Sequence, residues 1–299
     1  MSIHLIGVLS AITAGIAFNL GLVLQKVAVA RVPKETSHLM RHVVRSPLWL
    51  MGFGIQFLFG TPLNMLALGY LGPAIVPGLM SMGLIVLALA GMLIARESVR
   101  IEDVTGILLV MIAVTLLGLS GLTVDMKGVD LHDSILLMRF LIFTTVVACL
   151  SILCHTLKGS MKRHEGILHI LNAGLLYVQS NLWLAFLMGL LMRWTSGSLS
   201  HSELTFMGLA SLVIFLASIF GIAETQRAFR SGDVIRLVPI QSLPQQVLPL
   251  VSYFAVLALS PPRPSSLPLG GTGALLIIVG SGLLARRQME IQSIEGGTT

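Results

Sequence analysis

Polar residues in this chain are brief interruptions of long apolar runs, and the interruptions recur at the spacing of successive bilayer crossings. From Ser46 to Ala95 no charged residue occurs. At a rise of about 1.5 Å per residue, each half of that stretch is long enough to cross the hydrocarbon layer. It predicts two membrane helices joined by a tight turn near Gly69-Tyr70-Leu71-Gly72-Pro73. The same pattern over the whole chain predicts nine spans, at roughly 4–26, 48–69, 73–95, 104–122, 134–156, 166–190, 204–224, 233–259 and 267–285. The eighth is expected to be the least regular, because Pro239, Pro244 and Pro249 interrupt it. The gaps are too short for a second, soluble domain.

Composition sharpens this picture. Only 11% of residues are charged and the mean hydropathy is +0.91, whereas a soluble domain carries about 25% charge. The fold class expected is therefore all-α, a polytopic membrane helical bundle. The opening stretch MSIHLIGVLS lacks a basic region and reads as a first membrane helix, not a cleaved leader. Cys149 and Cys154 lie in one apolar segment, so no disulfide framework is implied. No basic tail calls for nucleic acid. The expected surroundings are a lipid bilayer and a small-molecule or ion substrate, with a homodimer left open. Low charge and short loops point to a bacterial inner membrane.

Charge placement orients the spans. One set of alternate connections and their edges holds Lys26, Arg31, Lys34, Arg41, Arg45, Arg96, Arg100, Lys158, Lys162, Arg163, Arg227, Arg230, Arg236, Arg286 and Arg287. The other side holds only Lys127, Arg139, Arg193 and Arg263. Positive loops stay in the cytoplasm, so the N-terminus is expected outside and the C-terminus inside.

The chain also repeats itself. Gly7, Leu9, Ala14 and Gly15 fall on Gly166, Leu168, Ala173 and Gly174 at a constant offset of 159. ALGYLGPAIVP (Ala67 to Pro77) parallels AFRSGDVIRLVP (Ala228 to Pro239), and Val104 to Gly121 resembles Gly270 to Ala285 in glycine placement. Span one starts outside and span six inside, so halves 1–158 and 159–299 are expected to be inverted. That is the usual geometry of alternating access around a site near the midplane.

Polar residues at membrane depth are the candidate site. Asn19 lies midway along span one, and its amide suits either an interhelical bond or a substrate. Gln56 and Asn64, eight apart in span two, fall on nearly one helix face. Span six offers Asn172 and Gln179, seven apart, flanked by Tyr177 and Asn181. Glu224, followed by Thr225 and Gln226, ends span seven. It is the candidate for binding a cation or taking up a proton, with pairing to Arg227 or Arg230 as the structural alternative. In span eight Gln241, Ser242, Gln245 and Gln246 surround Pro239 and Pro244, which are candidate hinges. Pro73 and Pro77 are the corresponding hinges of span three. Asp125, Asp130, His132 and Asp133 cluster on the outer side, where they are able to attract a cation or simply face water. The sequence has no metal-ligand motif, no Walker loop and no nucleophile set at depth, and His155 and His164 read as surface residues. Neither an enzyme nor a cofactor is expected.

Several of these stretches resemble the drug/metabolite transporter superfamily. They are ALGYLGPAIVP, the Arg96-Glu97 pair after the next helix, Asp103 to Gly106, and LLGLSG at Leu116 to Gly121. NLGLVLQKVAV (Asn19 to Val29) and NMLALGYLGPAIVP (Asn64 to Pro77) look like the nine-helix NIPA-type magnesium transporters, a branch of that superfamily. The resemblance implies a bundle of inverted halves around a central cavity. Amides, hydroxyls and prolines with few fixed charges favour a secondary transporter of a small polar metabolite or drug-like solute. Mg²⁺ transport is the alternative the NIPA resemblance implies, although Mg²⁺ prefers carboxylates. A membrane scaffold that transports nothing is the third reading.

Overall fold

The computed structural model describes residues 3–33, 39–94, 100–129, 133–160, 164–194, 197 and 200–296. Of the residues singled out above, Lys34, Arg96, Glu97, Asp130, His132, Lys162 and Arg163, with the side chains of Arg286 and Arg287, lie outside this description. Every regular element among the described residues is helical. A chain in hydrocarbon must satisfy its backbone internally, and helices do so within one segment.

Helix α1 (Ile3–Ala30) is followed by the short α2 (Leu39–Val43), then α3 (Pro47–Ile55) and α4 (Thr61–Leu71). Next come α5 (Val76–Met80) and α6 (Leu84–Leu93), α7 (Ile101–Leu119), α8 (Ser134–Ser160), α9 (Glu165–Trp194) and α10 (His201–Ser231). Helices α11 (Val234–Ala255) and α12 (Ser266–Gly296) complete the series. With α3/α4 and α5/α6 each forming one rod, seven helices among the described residues are long and apolar enough to cross a membrane. The protein is a multi-pass membrane protein. Helix α11 is not among the seven, and α12 contributes the shorter apolar stretch Ser266–Gly280.

Three local departures from the sequence expectation have physical causes. Gly69, Tyr70 and Leu71 are still helical, and the turn starts at Gly72, whose φ is 75°. A Cβ there would sit 2.8 Å from the Val124 carbonyl, so both backbone and space call for glycine. Second, the Gln56–Gly60 segment is a π-helical turn. Pro62 has no N–H for the Leu58 carbonyl, and the widened turn closes with the Thr61 hydroxyl donating to the Gln56 carbonyl at 3.2 Å. Third, the interruption expected in span eight is in span three. Helix α11 runs unbroken through Pro239, Pro244 and Pro249. Ser242 donates to the Pro239 carbonyl and Ser252 to that of Pro249, both at 2.7 Å, while the helix continues past the carbonyls of Ile235, Ile240 and Gln245, for which the prolines have no N–H. Span three instead breaks at a 3₁₀ turn, Ser81–Gly83. Pro73 lies in the turn before α5, and Pro77 in the first turn of α5.

The helices meet through small residues, which is how bundles pack where lipid is as apolar as leucine. Gly21 and Gly52 let α1 and α3 touch, since a Cβ on either would lie 2.6 Å from a carbonyl of the other helix. Gly60 meets Phe18 further along, so these helices are antiparallel. Ser180 and Ser218, 3.0 Å apart, join α9 to α10. Asn64 and Gly69 of α4 meet Asn181 and Met192 of α9 in parallel. Hence α1 and α9 run in opposite directions. Gly273 meets the Ala113 carbonyl and Gly280 that of Gly106, so α7 and α12 are antiparallel as well. Gly15 packs on the Met80 backbone beside the break in span three, while Gly174 packs on Gln241 and Pro244 of α11.

Two apolar clusters fill the bundle. One includes Val23, Trp49, Leu87, Val110, Ile170 and Phe229. The other includes Leu68, Val76, Phe140, Trp183, Phe186 and Tyr253. The first lies toward the end where Lys26, Arg45, Arg100, Lys158, Arg227 and Arg236 gather, here called the basic end. Helix α9 is central, with 67% of its most apolar stretch buried, whereas the figure for α8 is 11%.

Candidate functional site: a polar hub at the basic end

Helix α10 is apolar for most of its length and then carries Glu224, Thr225 and Gln226 in succession. Consecutive helical residues point about 100° apart, so three adjacent polar side chains address three neighbours. All three are buried, at 4%, 0% and 0% exposure. Glu224 faces α8 and α9, accepting from Lys158 Nζ and meeting His169 Nδ1 at 2.6 Å. Arg227 Nη1 donates to its other oxygen at 2.8 Å. Thr225 faces α11 and accepts from Gln241 Nε2 at 2.9 Å.

Gln226 faces α1 and opens a ladder of amides. Its Nε2 donates to Gln25 Oε1 at 2.6 Å, and Gln25 Nε2 donates to Gln56 Oε1 at 2.7 Å. Gln56 Nε2 then donates to the Phe18 carbonyl at 2.9 Å. An amide both donates and accepts, so such a ladder propagates with one polarity. Lys26, next to Gln25, donates to the Phe229 and Gly232 carbonyls at 2.6 Å each. A cation there also complements the negative end of the α10 dipole.

A second buried ion pair lies beside the hub. Arg236 of α11 grips Asp103 of α7 with Nε at 2.9 Å and Nη2 at 3.0 Å. Asp233 is another partner, and the Arg100 amide donates to Asp103 at 3.0 Å. Exposure is 1% for Arg236 and 0% for Asp103. Charges so deep persist only when paired and fully bonded.

The structure gathers part of the predicted set into this network. Gln56, Gln241 and Glu224 belong to it directly, and Gln245 Nε2 donates to the Gln241 carbonyl at 3.3 Å. Asn172 lies 2.6 Å from the Ser151 hydroxyl. With its amide nitrogen turned to Ser151, its oxygen accepts from Lys158 at 3.2 Å, which connects it to Glu224. Tyr177 presses its ring against Gly221, one turn before Thr225. Gln179 points to α8, as Asn172 does, and donates to the Thr144 carbonyl at 3.2 Å. Asn19 and Asn64 stand apart from the hub. Asn19 Nδ2 donates to the Gly15 carbonyl at 2.8 Å, and Asn64 Nδ2 to Asn181 Oδ1 at 3.2 Å. The π turn separates Gln56 from Asn64, so the single face expected for them is absent: one addresses α1, the other α9. Oxygens of Asn19, Asn64, Gln179 and Gln226 are buried without a hydrogen-bond partner among the described residues.

Of the outer acidic residues, Asp125 accepts from the Lys127 amide at 3.0 Å and Asp133 from that of Ile135 at 2.9 Å. Both act as local turn and helix caps. The expected pairing of Glu224 with Arg227 is present.

Sequence reasoning missed Gln25, the roles of Lys158 and His169, and the Asp103–Arg236 pair. His169 was within reach, since it shares a helix face with Asn172 in an apolar stretch and stands one turn from Glu165. Gln25 was hidden because α1 extends a turn past the expected end of span one. Searches against protein-family models, curated proteins and solved structures match none of them.

Proposed function

We propose that the protein is a secondary, non-ATP transporter of a small polar solute, working by alternating access in a bacterial inner membrane. In this reading nine spans form two inverted halves, 1–158 and 159–299, with the N-terminus outside and the C-terminus in the cytoplasm. The resemblance to the drug/metabolite transporter superfamily supports it. So do the opposed directions of α1 and α9, the antiparallel α7 and α12, and the glycine of each opening helix set against a proline-bearing helix of its own half.

The observation that carries the proposal is the ladder Gln56–Gln25–Gln226, which ties the first half to the second through neutral amides alone. A neutral hydrogen bond contributes only about 1 kcal/mol net, so such a tie opens and closes readily where a buried ion pair does not. The ladder also ends on an unpartnered oxygen, Gln226 Oε1. A donor-bearing solute completes that acceptor. The basic end is closed while the hub is bonded.

Glu224 is the coupling residue in this reading. His169 faces Glu224 with one ring nitrogen and Glu165, at 3.4 Å, with the other. The imidazole thus lies between two carboxylates, one buried and one half exposed. Three basic groups around Glu224 weigh against the magnesium alternative, because a divalent cation needs carboxylates left to it.

The test is uptake by the purified protein in lipid vesicles, comparing Mg²⁺ with a panel of polar metabolites, with and without a proton gradient. The proposal predicts uptake of a panel member that responds to the gradient. Uptake of Mg²⁺ alone transfers the assignment to the NIPA-like reading, and no uptake of any kind favours the scaffold.

A further inference from the structure

A cleft of about 620 Å³ opens at the basic end between α2, α9 and α10. Arg41 comes from α2, Glu165 and His169 from α9, and Arg227, Arg230 and Ser231 from α10. Leu39 and Met40 supply an apolar wall. Three guanidinium groups thus converge on one space from two separate elements, against one carboxylate among the described residues, which already faces His169.

Arg230 Nη2 already donates to the Pro33 carbonyl at 3.1 Å, whereas Arg41 and Arg227 keep donors to spare. Arg41 makes no hydrogen bond or ion pair among the described residues. Arg227 commits one N–H to Glu224 and is half exposed. A guanidinium carries five N–H donors in a planar fork, and that fork matches the oxygens of a phosphate group two at a time. Arg227 and His169 both touch Glu224, so a ligand here sits directly against the hub.

We infer that this cleft is a binding site for a phosphate group, held chiefly by Arg41 and Arg227, with the positive charge of Arg230 beside them. Two sources share that chemistry. One is a soluble phosphate compound. The other is the headgroup of an anionic lipid, since basic pockets between membrane helices on the cytoplasmic side are suited to such headgroups. The site does not depend on the transport proposal, and its test reads binding, not flux.

The experiment uses the full chain purified in a neutral detergent. Inorganic phosphate is titrated by calorimetry, and short-chain phosphatidylglycerol by native mass spectrometry. Arg41→Gln removes an exposed side chain with no partner among the described residues, so the fold is retained. Arg139→Gln, exposed on α8 near the other end, is the charge-matched control. We expect Arg41→Gln to weaken binding about tenfold, the loss of one charge-assisted contact, and Arg139→Gln to leave it unchanged. Binding of inorganic phosphate with that pattern assigns a soluble ligand, and binding of phosphatidylglycerol alone assigns a lipid headgroup. Binding of neither probe overturns the inference, as does equal weakening by both variants.

Discussion

Glu224, Thr225 and Gln226 show how three adjacent letters fix three separate contacts. The helix does the sorting: one residue reaches a lysine and a histidine, the next a glutamine, the third the amide ladder. Removing a member of a charged set leaves the others buried and unbalanced. Arg236→Ala is therefore expected to lower unfolding stability in detergent by about 3–5 kcal/mol, and adding Asp103→Asn to restore part of it. A stability unchanged by Arg236→Ala would mean that the pair is solvated. Gln226→Leu removes a neutral contact and an unpartnered acceptor. It is expected to keep the fold and membrane level while lowering uptake at least several-fold. Wild-type uptake in that variant would remove Gln226 from the path.

At the level of elements, packing through small residues determines which helices meet. Gly52 is the point where α3 touches α1, and any side chain there strikes the Gly21 carbonyl. Gly52→Leu is expected to destabilise the bundle by about 1–3 kcal/mol or more, seen as a lower melting temperature in detergent. Gly54, with open space around it, is the control, and Gly54→Leu should change little. Long apolar runs made the helices legible in the sequence, because hydrocarbon thickness sets their length. Interruptions were less so. Proline in α11 signalled a break, yet the helix, packed on α9 and α12, runs through all three prolines unbroken. The breaks that exist depend on Pro62 removing one donor, and on the backbone of Met80 lying against Gly15. The site was legible in the same partial way. Gln56, Glu224 and Gln241 stood out as polar letters in apolar text, but their partners Gln25 and Lys158 looked like the edges of loops. The Asp103–Arg236 pair spans 133 residues of sequence, and no local pattern announces it.

Across the whole molecule, the two proposed halves are held by unlike bonds. Asp103–Arg236 joins them through buried charge, and Lys158–Glu224 does the same through a lysine at 8% exposure. The amide ladder joins them through neutral groups. The proposed transporter needs some ties that persist and others that let go, and the ladder is the tie suited to letting go. Bridging it chemically tests this most directly. Cys149 and Cys154 are replaced by serine, Gln25 and Gln226 by cysteine, and a short bis-maleimide links the new pair in vesicles loaded for uptake of the solute identified by the panel. The account predicts that the linked double variant stops transporting, while each single cysteine variant treated alike keeps the activity it had before treatment. Transport by the linked protein at the unlinked rate would contradict it.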